Sequence, residues 1–318
     1  MILEPFMSLL AAAPTASQIR NPLEGVLPSL PKVDVETFKK EERVIQAMRD
    51  PQLRSLISKD LHTGIVTMAL DDKLWTDVMQ ALDSKEAPID KAREVVRPFR
   101  DAFYWHFKDR SVALAKSVKP AIENAIASLP KDHTDPILFD WGTGDTQVAS
   151  KIQELFPSVT VKGGDIIPYY KDQPLVPFFL IKNNLVPEVK DQSVSIMTLN
   201  YVLHHDEMAH GVFEEAARIL KPGGKLIVVE LVPTGPTLSD RLLDLERLWF
   251  SDMIFCNIWH NSDKIPMPGN YRTVDSWSDL ANIYGLSLES KQAIRGTPVI
   301  YADQDCGRQV MVFEKPKA

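Results

Sequence analysis

The 318-residue chain is 44% hydrophobic with a mean hydropathy of -0.13 and a formal net charge of -7, a balance that excludes both a disordered and a membrane-embedded class. Two cysteines, Cys256 and Cys306, give no disulfide framework and fit a reducing compartment; the absence of any apolar run of about 18 residues argues against a membrane span. The first 130 residues carry as many acidic as basic side chains, so the net charge falls wholly on residues 131–318, and an acidic half favours a small acceptor over an extended phosphate polymer.

Residues 1–13 are apolar but contain Glu4 and lack a basic flank, which argues against a signal or transit peptide and points to a cytoplasmic protein. The next stretch is proline-rich and reads as extended chain, so 1–34 is expected to be an N-terminal arm. From Val35 to about Leu129 the pattern is helical, starting at a cap-like Asp34, with further helices expected over Asp90–Pro98 and from Phe99 onward. Phe99, Phe103 and Phe107 recur every four residues and share a helix face. Residues 91–119 hold eight Lys and Arg against three acids. With the interleaved aromatics this is either the solvated face of an amphipathic helix or a surface for single-stranded nucleic acid.

After Pro136 strands alternate with helices. Strands are expected at Ile137–Asp140, Val159–Lys162, Phe178–Ile181, Ser193–Leu199, Leu226–Leu231, Leu286–Ala293 and Gln309–Glu314. Helices are expected at Val148–Phe156, His210–Leu220, Thr237–Ile258 and Thr273–Tyr284. This rhythm implies an α/β fold whose mostly parallel sheet is covered on both faces, with ligands at the carboxyl ends of its strands. Asp140, Asp165, Asn200 and Glu230 sit at such ends in four separate segments. The first strand runs into Asp140-Trp-Gly-Thr-Gly-Asp145, where Gly142, Thr143 and Gly144 form a turn that lets backbone approach a ligand closely. Asp165 closes the second strand and is placed to accept hydrogen bonds from ribose hydroxyls. Ile166 can pack on a base. Asn183 and Asn184, beyond the third strand, either meet an adenine or form a turn. Thr146 and Asp145 open the next helix, where a hydroxyl or an acid can cap it. Asn200 ends the fourth strand. His204 and His205 come soon after, and an imidazole there suits proton removal at neutral pH.

Taken together these motifs resemble those of class I S-adenosylmethionine-dependent methyltransferases over residues 135–318. Asp140-Trp-Gly-Thr-Gly resembles the motif that wraps the methionine part of the cofactor, Asp165 the ribose acid, and Leu203-His-His-Asp and Leu220-Lys-Pro-Gly-Gly-Lys-Leu-Ile-Val-Val-Glu230 the later motifs. The resemblance implies a Rossmann-like sheet whose last strand is antiparallel, S-adenosyl-L-methionine as cofactor, a helical cap or dimerisation region over 35–130, and a catalytic domain over 131–318. A closer similarity to small-molecule O-methyltransferases implies that His204 is a general base oriented by Glu230 and that the acceptor is a small hydroxyl compound. Three features depart from that pattern: Thr146 stands for a third glycine, Tyr271 for an acid before Arg272-Thr273, and no winged-helix signature is present. An RNA or cap methyltransferase using residues 91–119, and a non-catalytic binding protein on the same fold, are the alternatives. The aromatic helix around Leu242–Phe255 reads as core, dimer contact or substrate wall. No His/Cys/Asp set has metal-ligand spacing, so no metal is expected.

Overall fold

The computed structural model describes residues 35–67, 72–170, 172–206, 209–259, 265–294 and 307–317. The N-terminal arm, His260 and Cys306 lie outside them, as do the side chains of Phe103, Tyr104, Trp105 and Phe107. The chain divides into two units, Met1–Lys40 and Glu41–Ala318; the sheet and the helices that cover it belong to the second.

Helix α1 (Val35–Arg49) crosses that boundary. It is succeeded by α2 (Pro51–Thr67), α3 (Asp72–Leu82), α4 (Pro88–Val96) and the long α5 (Arg100–Ser128). The remainder alternates as expected: β1 (Ile137–Trp141), α6 (Gln147–Leu155), β2 (Thr160–Asp165), β3 (Phe178–Leu180), β4 (Val194–Asn200), α7 (His210–Ile219), β5 (Leu220–Val232), α8 (Leu238–Met253), α9 (Val274–Ile283), β6 (Ser287–Ala293) and β7 (Gly307–Glu314). The strands form one sheet in the order β3-β2-β1-β4-β5-β7-β6. Neighbours from β3 through β5 pair in parallel, and β7 runs antiparallel to both β5 and β6. The strand order reverses at β1, whose neighbours are β2 and β4, and a crevice opens above their carboxyl ends.

The central strands are buried on both faces, and their side chains alternate between two cores. Phe139, Met197, Leu199, Leu226 and Val228 face Phe213 of α7 and Trp277 of α9. Leu138, Ile196, Ile227 and Val229 face Val118 and Ile122 of α5 and Ile152 of α6. The C-terminal half of α5 therefore covers the sheet. A third core joins Val44, Ile57, Val78, Leu82 and Val96 of α1–α4 to Leu248, Trp249, Phe250 and Met253 of α8. The aromatic stripe of α8 is thus core for the preceding helices. The union is reinforced by Arg247, which donates to Asp60 at 2.5 and 2.6 Å with both side chains buried. Arg43 contributes as well, pairing with Glu246 and lying 4.0 Å over the Trp249 ring.

Two local boundaries differ from the sequence expectation. Strand β5 starts at Leu220, because Val194 pairs with Leu220 and Ile196 already with Lys225, so Lys221–Gly224 bulges from the ladder and does not simply end a helix. Helix α8 starts in a capping box, Thr237 with Asp240. At its far end the winding widens to a π segment, Ile254–Trp259. Among the described residues no helix is long and apolar enough to cross a membrane.

Candidate active site

Two clusters of residues lie at the carboxyl ends of the strands: one around the glycine turn after β1, named the donor end after the resemblance above, and one around His204, named the acceptor corner after it. At the donor end the chain leaves β1 through Gly142 (φ +73°) and Gly144 (φ +57°), both in the left-handed region that glycine enters without strain. A Cβ on Gly142 would stand 2.4 Å from Val202 Cγ2. The Gly142 and Thr143 amides donate to Gly164 O at 2.8 and 3.0 Å, which fastens the turn to β2. Asp165 accepts from the Gly144 amide at 2.8 Å and the Ile166 amide at 2.7 Å. Burial raises its carboxyl above the usual range, and these amide bonds oppose the rise. Ile166 beside it is exposed.

Asp140 is buried beneath the turn. One oxygen accepts from Thr198 Oγ1 at 2.7 Å and from Asn200 Nδ2 at 2.9 Å. Burial pushes its carboxyl up to about 6, against the pull of its hydrogen bonds. While the Asn200 amide nitrogen is engaged with Asp140, its carbonyl oxygen Oδ1 is buried and has no hydrogen-bond partner among the described residues. An orphan acceptor beside a buried carboxylate suits a donor with N–H or O–H groups, such as the amino-acid end of S-adenosylmethionine. Sequence reasoning did not single out Thr198; a polar residue inside an apolar strand was its signal.

Thr146 departs from the expected capping role. It is fully buried with φ +67°, and its hydroxyl donates to Asp145 O and accepts from the Leu175 amide at 2.9 Å. The helix start is instead held by Asp145, which accepts from the Gln147 amide at 3.1 Å. Of the two readings of Asn183 and Asn184, the backbone forms the turn. Both have positive φ, and Lys182 and Leu185 exchange two 3.0 Å backbone bonds around them, a type I′ arrangement. Asn184 also donates to Asp206 at 3.0 Å.

The acceptor corner is built where β4 and β5 end against α8. His204 is buried, with Nδ1 2.7 Å from Glu230 Oε2 and Nε2 3.5 Å from Asp252 Oδ2. Glu230, fully buried, also accepts from the Leu203 amide at 2.7 Å. Burial would lower the imidazole pKa, but the two carboxylates outweigh it and raise it. Tyr271 stacks on the His204 ring at 4.8 Å and donates to Leu248 O, so the residue in place of the expected acid serves as a wall. His205 lies 4.2 Å ring to ring from His204 and its side chain is 20% exposed. Its Nδ1 meets Pro266 O at 2.8 Å and stands 3.7 Å from Asp252 Oδ2. Burial lowers its pKa, so a neutral ring is favoured. Cys256 donates to Asp252 Oδ1 at 3.4 Å. Tyr169, in the loop after β2, is within electrostatic range of both Asp165 and Cys256, and burial raises its pKa. Asp252 was missed in the sequence. Its signal was an acid set within the apolar stripe Leu248–Met253, where a charge needs partners.

The expectation of no metal-ligand set does not hold for the geometry: one donor atom each from His204, His205 and Asp252 lie within 4.8 Å of one another. Elsewhere, Thr273 caps α9. Several bases of the 91–119 stretch are already paired: Arg93 with Asp90 and Asn257 O, Arg97 with Glu94, and Lys119 with Glu123.

Residues 139–228 match the family model described as a methyltransferase domain. Residues 139–228 thus carry a methyltransferase domain, set on the strand order and glycine turn described above; class I methyltransferases take their methyl group from S-adenosylmethionine. No curated protein matches the chain. Solved structures similar to it include the YcgJ protein of Bacillus subtilis, at 18% identity and a TM-score of 0.44, covering 64% of this chain and 99% of that one. Another is geranyl diphosphate C-methyltransferase of Streptomyces coelicolor, at 13% identity and a TM-score of 0.44 over 62% and 79%. A third is a Haemonchus contortus phosphoethanolamine N-methyltransferase, at 14% identity and a TM-score of 0.41 over 58% and 49%.

Proposed function

We propose that this methyltransferase moves the methyl group of S-adenosylmethionine to a hydroxyl oxygen of a small-molecule acceptor, with the proton taken up at the histidine corner. The observation that carries this reading is the buried Glu230–His204 pair at 2.7 Å, adjoining the half-open His205. Displacement at a sulfonium methyl needs the acceptor held close and in line, worth about 7–11 kcal/mol of barrier. A hydroxyl gains roughly a further 10²–10⁴-fold from a base, whereas many amines need none. In this reading Glu230 fixes the ring of His204, and Asp140, Gly142, Thr143, Gly144, Asp165, Ile166 and Asn200 hold the donor, with Asn183 and Asn184 shaping the loop beside it. Residues 1–34 act as an arm, 35–130 as a cap or dimerisation region, and 131–318 as the catalytic part. The ion pairs that occupy Arg93, Arg97 and Lys119 and the acidity of residues 131–318 favour a small acceptor over RNA.

Transfer of labelled methyl to a panel of phenols and alcohols, set against amines, tests the proposal. Hydroxyl acceptors should be turned over, and His204→Ala should lower kcat by about 10²–10⁴-fold with little change in donor affinity. Undiminished turnover in that variant removes the base role. Methylation confined to amines removes the acceptor class.

A further inference from the structure

We propose that His204, His205 and Asp252 form a binding site for a divalent transition-metal cation of the zinc class. Three donor atoms, one from each residue, lie within 4.8 Å of one another, and Asp252 Oδ2 stands 3.5 Å from His204 Nε2. Zinc bonds of about 2.0–2.2 Å to nitrogen and oxygen set tetrahedral ligands roughly 3.3 Å apart. Seating a cation therefore asks the three side chains to close in by up to about 1.5 Å.

The surroundings are those of ligating imidazoles. A metal-bound histidine usually gives its other ring nitrogen to a carboxylate or a backbone carbonyl. Here Nδ1 of His204 meets Glu230 at 2.7 Å, and Nδ1 of His205 meets Pro266 O at 2.8 Å. With Nδ1 as the donor in each ring, the lone pair is on Nε2. Asp252 and Glu230 are 4% and 0% exposed, and a dication offsets the cost of holding two carboxylates away from water. The donor set also selects the metal. Magnesium and calcium want six or more oxygens, whereas two imidazoles and one carboxylate suit zinc and leave a fourth position open. The Cys256 thiol beside Asp252 Oδ1 adds a soft neighbour. Directly after Asp252 and Met253, the helix changes to the π segment that carries Cys256, a distortion frequent at functional sites.

The site shares His204 with the proposed base, and a cation on Nε2 would take the lone pair that accepts the proton. Its use in the reaction, lowering the pKa of an acceptor hydroxyl bound at the fourth position in place of a free base, rests on the hydroxyl-transfer reading; the binding of the cation does not.

The test is metal stoichiometry on the full chain. The purified protein is stripped with a chelator, re-equilibrated with zinc or cobalt(II) chloride, freed of excess metal and measured by elemental analysis and visible absorption. One zinc per chain and tetrahedral cobalt bands are expected, with at least tenfold weaker binding in Asp252→Asn and in His205→Gln. Should those variants not fold, thermal unfolding of the wild type supplies the readout: chelation lowers Tm, and zinc but not magnesium restores it. No retained metal with no zinc-dependent Tm, or equal retention in folded variants, overturns the site. Stoichiometric zinc whose removal leaves hydroxyl methylation unchanged supports the site and removes only its role in the reaction.

Discussion

The donor end and the acceptor corner are built along the same carboxyl edge of the sheet by different means. The donor end is a local device: the Gly142–Gly144 turn, Asp140 three residues from the start of β1, and Asp165 at the end of the adjacent strand, tied by backbone bonds. The acceptor corner is a tertiary one. His204 and His205 lie just past β4, Glu230 comes from β5, Asp252 from α8 and Tyr271 from the approach to α9. A local device is specified by a few neighbouring residues and survives a changed context. A tertiary one depends on how α8 packs against the preceding helices, and so can change acceptor without disturbing the donor.

Four substitutions put this contrast to the test. Glu230→Ala leaves the Leu203 amide without its acceptor and His204 without its 2.7 Å partner. It should cost about 3–5 kcal/mol of stability by denaturant unfolding, while the folded fraction keeps its affinity for S-adenosylhomocysteine by calorimetry. A parallel loss of donor affinity would dissolve the distinction between the two ends. Next comes Asp140→Asn. The Asp140 carboxyl is raised to about 6 in the folded chain, so its favourable contribution is complete below the unfolded value near 3.9 and is lost as pH rises through 6. The uncharged variant should therefore gain on the order of 2–3 kcal/mol relative to wild type at pH 8, with the gap closing below pH 4. A pH series of unfolding curves checks both sign and window.

Gly142→Ala places a methyl group against Val202 and forces a positive φ on a residue with a Cβ. About 1–2 kcal/mol of stability should go, with at least tenfold weaker donor binding and an unaltered acceptor corner. The smallest effect is expected of Thr146→Gly. It relieves a strained left-handed threonine but gives up the bond to the Leu175 amide, and two opposing contributions of about 1 kcal/mol each should nearly cancel in denaturant unfolding.

The same contrast explains what the sequence made legible. The alternation of strands and helices and the donor turn were readable because apolar runs, Gly-x-Gly and strand-end acids are written in consecutive residues, whereas the antiparallel last strand followed only from the resemblance. The Glu230–His204 contact was expected from resemblance, and the two side chains meet at 2.7 Å. Asp252 was not expected, since nothing in residue spacing connects position 252 with 204 and 205; only the docking of α8 does. Between Thr146 and Asp145 as caps, the sequence left the choice open, and Asp145 takes the role. The partner of Thr146, Leu175, lies in a loop with no periodic pattern, so that contact was not legible. The bulge at Lys221–Gly224 shows the reverse case, a turn signal absorbed into a strand by pairing with β4.

The hydroxyl of Thr146 ties two pieces of chain that are distant in sequence. It joins the donor turn to the loop before β3 through the Leu175 amide. A glycine at position 146 would leave the chain about as stable while cutting the turn loose from that loop, so stability alone does not report whether the tie is present.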